Sequence, residues 1–187
     1  PRAISDVNYY LKERGRKLVP YVQPVMLFHG NVVRAADGRL LTTMYGTWAG
    51  EEGVKPHLHL VAVASADGGL TWTYEGLIAA PDDVEFTQNG PGEAALAALP
   101  GGGILCIFRV DGTGSAYYRT ESRDGGKTWS RPERLSADVF GVSPRLSVLS
   151  NGIIVLLGGR PGMYLWFAAD GEGKTWERFD LLAYHNS

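Results

Sequence analysis

Three pairs of apolar runs along the chain each flank a short glycine turn. The runs are built mainly from Val, Ile, Leu and Ala and have the lengths of strands buried on both faces. Because a glycine turn between two such runs is typical of a β-hairpin, the pattern predicts three hairpins. Superposing the turn glycines Gly38, Gly102 and Gly152 gives a repeat with spacings of 64 and 50 residues. The paired runs are residues 32–36 and 40–44, 94–99 and 104–108, and 146–149 and 153–157.

A glycine-rich segment follows each predicted hairpin. It reads S-A-D-G-G-L-T-W at 65–72 (box 1) and S-R-D-G-G-K-T-W at 122–129 (box 2). The third copy, D-G-E-G-K-T-W at 170–176 (box 3), is one residue longer between Asp and Trp. Its glycines can adopt positive φ without strain, and its carboxylate can accept backbone N–H groups, so each box predicts a tight turn. We therefore expect structural roles for Asp67, Trp72, Asp124, Trp129, Asp170 and Trp176.

Each box is expected to join two outer strands beside the two inner strands of a hairpin. Four strands in a repeat of roughly 45–60 residues are typical of a β-propeller blade. We therefore predict an all-β fold of about three four-stranded blades, over residues 21–80, 88–137 and 142–182. A leading segment, 1–20, precedes them and could form a short helix over 5–17. Because propellers have about four to eight blades, the remaining blades are expected from a longer chain or from a second copy.

Composition and charge limit the classes of molecule to which such a fold is expected to bind. The net charge of −2 gives no general attraction to nucleic acid or to anionic membranes, and no apolar stretch is long enough for membrane insertion. The cations are 13 Arg and 5 Lys, and Arg is the better residue for bidentate capture of a carboxylate. The single cysteine, Cys106, lies inside an apolar run and is predicted to be a buried thiol.

The boxes and the paired inner strands resemble those of the sialidase/neuraminidase superfamily, whose members form six-bladed propellers. The segment 92–109 is similar to the stretch of that family in which a Glu opens a strand and an Arg closes the return strand. The resemblance implies that Glu93 assists a nucleophilic Tyr and that Arg109 binds the substrate carboxylate. It also points to Arg160, ten residues before the Asp of box 3, and to Arg145 at the start of an inner strand, as substrate-binding residues. The alternative for Glu93 and Arg109 is a structural ion pair at the strand ends.

The first blade carries different residues at the corresponding positions. Superposing the turns places His29 against Glu93 and Tyr45 against Arg109. If the inner ends of the blades converge, His29 and Tyr45 would join the arginines as substrate-binding residues. His57 and His59 alternate on a predicted strand, a spacing that can chelate a metal, but the sequence offers no clear third ligand. We therefore predict surface strand positions for both, and neither a metal site nor a cofactor.

Three functions fit these residues. The first is a sialidase-like exo-glycosidase, or part of one, that removes sialic acid or a related carboxylate-bearing sugar from a glycan. The resemblance implies a retaining reaction through a Tyr nucleophile assisted by Glu, and a secreted or periplasmic location. Neither the nucleophilic Tyr nor the acid/base Asp can be assigned in this sequence. The second is a uronate polysaccharide lyase with His29 as base and Tyr45 as acid. The third is a non-catalytic glycan-binding propeller.

Overall fold

The structure, a computed structural model, describes residues 26–48, 58–85, 89–111 and 117–187. The predicted helix at 5–17 and residue His57 lie outside these ranges. The described residues form three four-stranded antiparallel sheets, each a meander in chain order. The strands are β1 (Met26–Arg34), β2 (Leu40–Gly46), β3 (His59–Ser65), β4 (Thr73–Ala79), β5 (Pro91–Ala98), β6 (Ile104–Val110), β7 (Tyr117–Ser122), β8 (Glu133–Arg134), β9 (Val142–Val148), β10 (Ile154–Gly159), β11 (Met163–Ala168) and β12 (Glu177–Asp180).

The three sheets are the predicted blades, and the fold prediction is confirmed. Two short helices complete the described part of the chain: a 3₁₀ turn at Pro81–Asp83 and an α-helix, α1, at Leu181–His185. Neither is long and apolar enough to cross a membrane. The prediction that these blades belong to a six-bladed ring stays a prediction.

The inner hairpin of every blade has the same turn. Gly38, Gly102 and Gly152 have φ values of 87°, 82° and 85°, which favour glycine. Each of these glycines donates its backbone N–H to a carbonyl three residues earlier, at 2.9 Å in all three blades. The turns therefore fix the strand register identically, and residues at equal distances from the turn glycine occupy equivalent positions in different blades.

Two apolar cores lie between consecutive blades. The core between blades 1 and 2 contains Leu41, Leu60, Leu96 and Phe108, each at most 1% exposed. The core between blades 2 and 3 is built around Trp166, which contacts Tyr117 edge to face with ring centroids 6.4 Å apart. In blade 2, coverage of the inner strands on both faces explains why the sequences of β5 and β6 are apolar almost throughout.

The boxes form turns closed by their own side chains. In box 2, Asp124 accepts hydrogen bonds from the Thr128 hydroxyl at 2.6 Å, the Thr128 N–H at 2.9 Å and the Ser122 hydroxyl at 2.9 Å. Trp129 donates its indole N–H to the Gly126 carbonyl at 2.9 Å. Asp67, Trp72, Asp170 and Trp176 make the corresponding bonds in boxes 1 and 3. Each of the six side chains therefore forms hydrogen bonds within its own turn, as a structural role requires.

Each later box also packs on the blade before it. A Cβ added at Gly126 would lie 2.9 Å from Cδ2 of Leu41 in blade 1, and one added at Gly173 would lie 2.8 Å from Cδ2 of Leu105 in blade 2. Leu41 and Leu105 are both three residues after the turn glycine of their blade. The box thus contributes to the interface between blades as well as to the turn within a blade.

Candidate functional site

The site lies at one end of the inner hairpins, where the strand pairing is irregular. The register of β1 with β2 shifts between His29 and Val33, and that of β5 with β6 shifts between Pro91 and Ala94. The third hairpin shifts between Leu157 and Gly159 of β10. A β-bulge turns side chains away from their regular direction and is frequent next to active sites. Here side chains at two of the bulges contact the backbone of the next blade.

Glu93 of blade 2 contacts blade 3 and its own return strand. Its Oε2 accepts the backbone N–H of Ser143 at 2.8 Å and lies 3.4 Å from Nη1 of Arg109. Among the described residues, its other oxygen, Oε1, receives no hydrogen bond. The predicted pair of Glu93 and Arg109 is therefore in contact, and one carboxylate oxygen is left for another partner.

Arg109 is only partly satisfied by this contact. Its side chain is 26% exposed, so the head group reaches the surface of the site. Its Nε is buried and has no hydrogen-bond partner in the part of the chain that the structure describes. A guanidinium with an unpartnered N–H can bind a planar carboxylate through two parallel hydrogen bonds.

His29 of blade 1 contacts the innermost strand of blade 2. Its Nδ1 lies 3.1 Å from the backbone N of Ala94 and 3.3 Å from the Ala94 carbonyl oxygen. Burial lowers the pKa of His29 below its ordinary value. The Ala94 carbonyl and the Glu93 carboxylate oppose that shift, and Arg145 adds to it. The neutral imidazole is therefore the favoured form.

Tyr45 lies beside His29 and the strand that carries Glu93. The His29 and Tyr45 rings meet edge to face with centroids 5.8 Å apart, and a Cβ at Gly92 would lie 3.8 Å from the Tyr45 ring. Burial raises the pKa of Tyr45, and the Glu93 charge raises it further, against a smaller effect of Arg109. The hydroxyl of Tyr45 makes no hydrogen bond to any described residue, so it is available to a ligand.

The third blade contributes Arg145. Its guanidinium donates to the Pro144 carbonyl at 2.9 Å, and its side chain is exposed. A cavity of about 460 Å³ separates it from blade 1, which is within the range of small-molecule sites. The cavity is lined by Phe28, His29, Gly30, Val32, Thr42, Trp72 and Arg145.

Arg160 is not part of this cluster in the structure. It is exposed, has φ 55° and follows β10. In blade 2, Arg109 pairs with Tyr117 at the start of the next strand; in blade 3 the corresponding pair is Gly159 and Met163, so Gly159 and not Arg160 occupies the position of Arg109. No hydrogen bond or ion pair joins its side chain to another described residue. The structure thus brings together five of the six predicted site residues: His29, Tyr45, Glu93, Arg109 and Arg145.

Three further residues at this end were not found from the sequence. Asn31 donates Nδ2–H to the Leu96 carbonyl at 2.8 Å and accepts the Leu96 N–H at 2.9 Å. Ser143 has φ 47° and provides the N–H that Glu93 binds. Tyr117 is fully buried and donates its hydroxyl to the Val142 carbonyl at 3.1 Å. Ser143 lies nine residues before the turn glycine of its blade, as His29 and Glu93 do in theirs. This equivalence is the feature of the sequence from which Ser143 could have been predicted as a site residue.

No group of three or more metal-binding side chains occurs among residues 26–48, 58–85, 89–111 and 117–187. His59 packs against Trp48, with ring centroids 5.6 Å apart. The expectation of no metal site and no cofactor remains a prediction.

Comparison with solved structures shows the same fold in proteins of several activities. A protein of unknown function from Dyadobacter fermentans is 22% identical with a TM-score of 0.70, over 84% of this chain and 42% of that chain. The Hadza microbial sialidase Hz136 is 18% identical with a TM-score of 0.59, over 84% and 31%. The α-L-arabinofuranosidase Arb93A from Fusarium graminearum is 20% identical with a TM-score of 0.56, over 84% and 52%.

The chain therefore spans about a third to a half of the length of these structures. At such identities the likeness establishes the fold and leaves the activity open. No curated protein matches the chain. The family model of the BNR repeat-like domain matches residues 11–186, which is nearly the whole sequence. Together with the sialidases among the structural neighbours, this match confirms the predicted superfamily: the chain belongs to the BNR repeat-like domain family.

Proposed function

We propose that these three blades form the carboxylate-binding part of the active site of a glycosidase that removes a terminal acidic sugar, sialic acid or a close relative, from a glycan. The observation that supports it most is the contact of Glu93 with Arg109 at the converging ends of the inner hairpins, with Arg145 on the next blade. Two arginines can bind the carboxylate of an acidic sugar, and the Glu93 carboxylate beside Arg109 can assist at the bond next to it.

Arg109 and Arg145 would bind the sugar carboxylate. Arg109 has a partly exposed side chain, so a ligand carboxylate can reach its guanidinium from the surface of the site. Arg145 is exposed on the opposite side of the cavity from blade 1. Arg160, which the sequence adds to this set, would act from the rim.

Glu93 would act as the base partner of a tyrosine nucleophile. The tyrosine oxygen attacks the anomeric carbon, its proton passes to Glu93, and the aglycone leaves with a proton from an acid. Water then attacks the anomeric carbon and gives a proton to the conjugate base of that acid, while the glycosyl–tyrosine bond breaks and the proton returns from Glu93 to the tyrosine. A neutral tyrosine avoids bringing a second anion up to an anionic sugar, which is the known exception to the two-carboxylate scheme. We assign neither the tyrosine nor the acid to a residue of these blades.

The first test is binding, because it does not require the unassigned groups. Titration of the protein with free N-acetylneuraminic acid should show saturable binding, and Arg109→Lys should weaken it about 10-fold or more, since Lys cannot form the bidentate contact. Arg123→Lys is the matched control because Arg123 is exposed in the same blade, away from the site. Absence of saturable binding, or equal binding by the Arg109 variant, would contradict the proposal.

The second test is turnover of a fluorogenic sialoside. Where the protein releases free sialic acid, Glu93→Gln should lower the rate by about 10²–10⁴-fold, the range of general base catalysis. Glu172→Gln is the control, because Glu172 is an exposed carboxylate of blade 3. Formation of an unsaturated uronate product from a polyuronate would instead support the lyase, and binding without any turnover would support a glycan-binding propeller.

A further inference from the structure

His29 is held by the backbone edge of β5, the innermost strand of the next blade, which has no strand partner on that side. Its Nδ1 faces the N–H and the carbonyl of Ala94. Two residues further along both strands, Asn31 makes the equivalent pair of bonds to the N–H and carbonyl of Leu96. Side chains thus pair with the edge of β5 as a neighbouring strand would. This arrangement satisfies backbone groups that have no strand partner on that side.

The backbone between these two side chains fixes their position. Gly30 has φ 98° and touches the Ala94 carbonyl so closely that a Cβ there would overlap it. The Thr43 hydroxyl donates a hydrogen bond to the His29 carbonyl. The Thr42 hydroxyl donates one to the Asn31 carbonyl at 3.0 Å. The bulge of β1 is therefore held from both sides, and the His29 ring has little freedom to shift along β5.

The hydrogen of the Ala94 N–H determines which ring nitrogen of His29 carries a proton. A backbone N–H has its hydrogen in a position set by the peptide plane, and at 3.1 Å this hydrogen points at Nδ1. A second hydrogen on Nδ1 would face it directly. The Ala94 carbonyl lies farther from Nδ1, at 3.3 Å, so the shorter contact with the N–H favours Nδ1 as the acceptor. In a neutral imidazole the proton is then on Nε2. Nε2 has no hydrogen-bond partner among the described residues.

We propose that His29 binds the ligand as a neutral hydrogen-bond donor, through Nε2–H, and that it is not a general base. Nδ1 is occupied by the Ala94 N–H, and Nε2 already carries the proton that a base would have to accept. The acceptor is an oxygen of the acidic sugar placed between His29 and Arg145, which line the same cavity. Asn31 is a positioning residue that holds the bulge and thereby the ring. This inference rests on the proposed function for the identity of the ligand.

A fixed neutral donor has a consequence for specificity. A site that hydrogen-bonds a substrate oxygen rejects an analogue lacking that oxygen, because its own polar group is then left unpaired. A base would have imposed a pH dependence on turnover instead. The tautomer of His29 therefore separates the glycosidase from the lyase in which His29 would abstract a proton.

The first experiment measures the tautomer of His29 directly. Long-range ¹H–¹⁵N correlation spectra of the protein labelled with ¹⁵N-histidine distinguish a protonated Nε2 from a protonated Nδ1. We expect His29, assigned by the spectrum of His29→Asn, to be the neutral Nε2–H form at neutral pH. Asn31→Ala should alter the His29 signals, which a purely structural role elsewhere would leave in place. A proton on Nδ1, or a doubly protonated ring at neutral pH, would overturn the proposal.

The second experiment compares two amides at position 29. His29→Asn places a carbonyl oxygen where Nδ1 was, so it keeps an acceptor for Ala94 N–H but removes the Nε2–H donor. His29→Gln extends an N–H₂ group toward the Nε2 position and loses the acceptor. We expect His29→Asn to weaken binding of N-acetylneuraminic acid by about 10- to 100-fold, the effect of a lost bond to a charged group. His29→Gln should retain most of the affinity.

The outcomes distinguish this inference from the proposed function. If the unaltered protein binds the sugar and His29→Asn binds it equally well, His29 is not a ligand donor. If the unaltered protein shows no binding of the sugar, the proposed function fails, while the tautomer measurement still decides the state of His29. A thermal denaturation curve of each variant reports whether either substitution has unfolded the blade.

Discussion

The backbone N–H of Ser143 in blade 3 lies 2.8 Å from Oε2 of Glu93 in blade 2. The carboxylate proposed to act in catalysis is thus oriented by the inner strand of the following blade. One blade earlier, the His29 side chain likewise contacts a backbone N–H of the following blade, that of Ala94, which lies one position further along its strand than Ser143 does. A side chain at the equivalent position of two consecutive blades accepts a backbone N–H from the next blade. The interfaces between blades therefore position the site as well as stabilise the fold.

Removing the Glu93 carboxylate should cost stability as well as activity. Glu93→Ala leaves the half-buried Ser143 N–H without its acceptor, and we expect a cost toward the lower end of the about 1–3 kcal/mol of an unsatisfied buried donor. Glu93→Gln keeps a carbonyl oxygen in reach and should cost less. Urea denaturation of the two variants measures the difference in the free energy of unfolding. Equal losses for alanine and glutamine would show that the Ser143 contact contributes nothing to stability.

Gly126 should not tolerate a side chain, because it lies on the buried Leu41 of the preceding blade. An alanine Cβ would come within 2.9 Å of Leu41 Cδ2, and Leu41 is fully buried and cannot move freely. Gly152→Ala is the matched control, since Gly152 has a similar φ of 85° but no atom within 4 Å of its added Cβ. We expect Gly126→Ala to lower the free energy of unfolding by about 1–3 kcal/mol more than Gly152→Ala does, which is the usual cost of overpacking. Thermal or urea denaturation of both variants would show it, and equal losses would argue against a packed box.

The blades could be predicted from the sequence because their signals are local. A glycine turn sets the register of a hairpin, and a box sets the turn between the outer strands, so equal spacing from Gly38, Gly102 and Gly152 gives equal positions. That is why spacing could place His29 and Tyr45 at the positions that correspond to Glu93 and Arg109, the pair to which the family resemblance points.

The residues that the sequence did not reveal depend on contacts between blades. Asn31 bonds Leu96, which is 65 positions away in the chain, and nothing in the local pattern of β1 indicates that partner. Arg160 stays a prediction. It falls one residue beyond the position of Arg109, and at the end of a strand one residue decides whether a side chain faces the neighbouring blade or solvent.

Cys106 should react with thiol reagents only when the protein unfolds. It is fully buried between blades 1 and 2, and burial raises the pKa of its thiol well above the usual range, so the reactive thiolate is scarce. We expect its labelling rate with an aromatic disulfide reagent to rise with urea in parallel with unfolding. Fast labelling of the native protein would mean that the interface between these blades opens locally. Cys106→Ala, which has no thiol, serves as the blank.

Acid should lower the free energy of unfolding in part by protonating the aspartates of the boxes. Hydrogen bonds from the Thr128 hydroxyl and backbone lower the pKa of Asp124 to about 2, below the value of about 3.9 expected in the unfolded chain. A carboxylate with a lowered folded pKa contributes stability that is present above the unfolded pKa and is lost as the pH falls through the folded pKa. The unaltered protein should therefore exceed Asp124→Asn in free energy of unfolding by the largest amount at about pH 5, and this difference should shrink toward about pH 2. Urea denaturation across that range measures it, with Asp82→Asn, an exposed carboxylate outside the boxes, as the control. A stability difference that does not change with pH would show that Asp124 stabilises the turn by its shape and not by its charge.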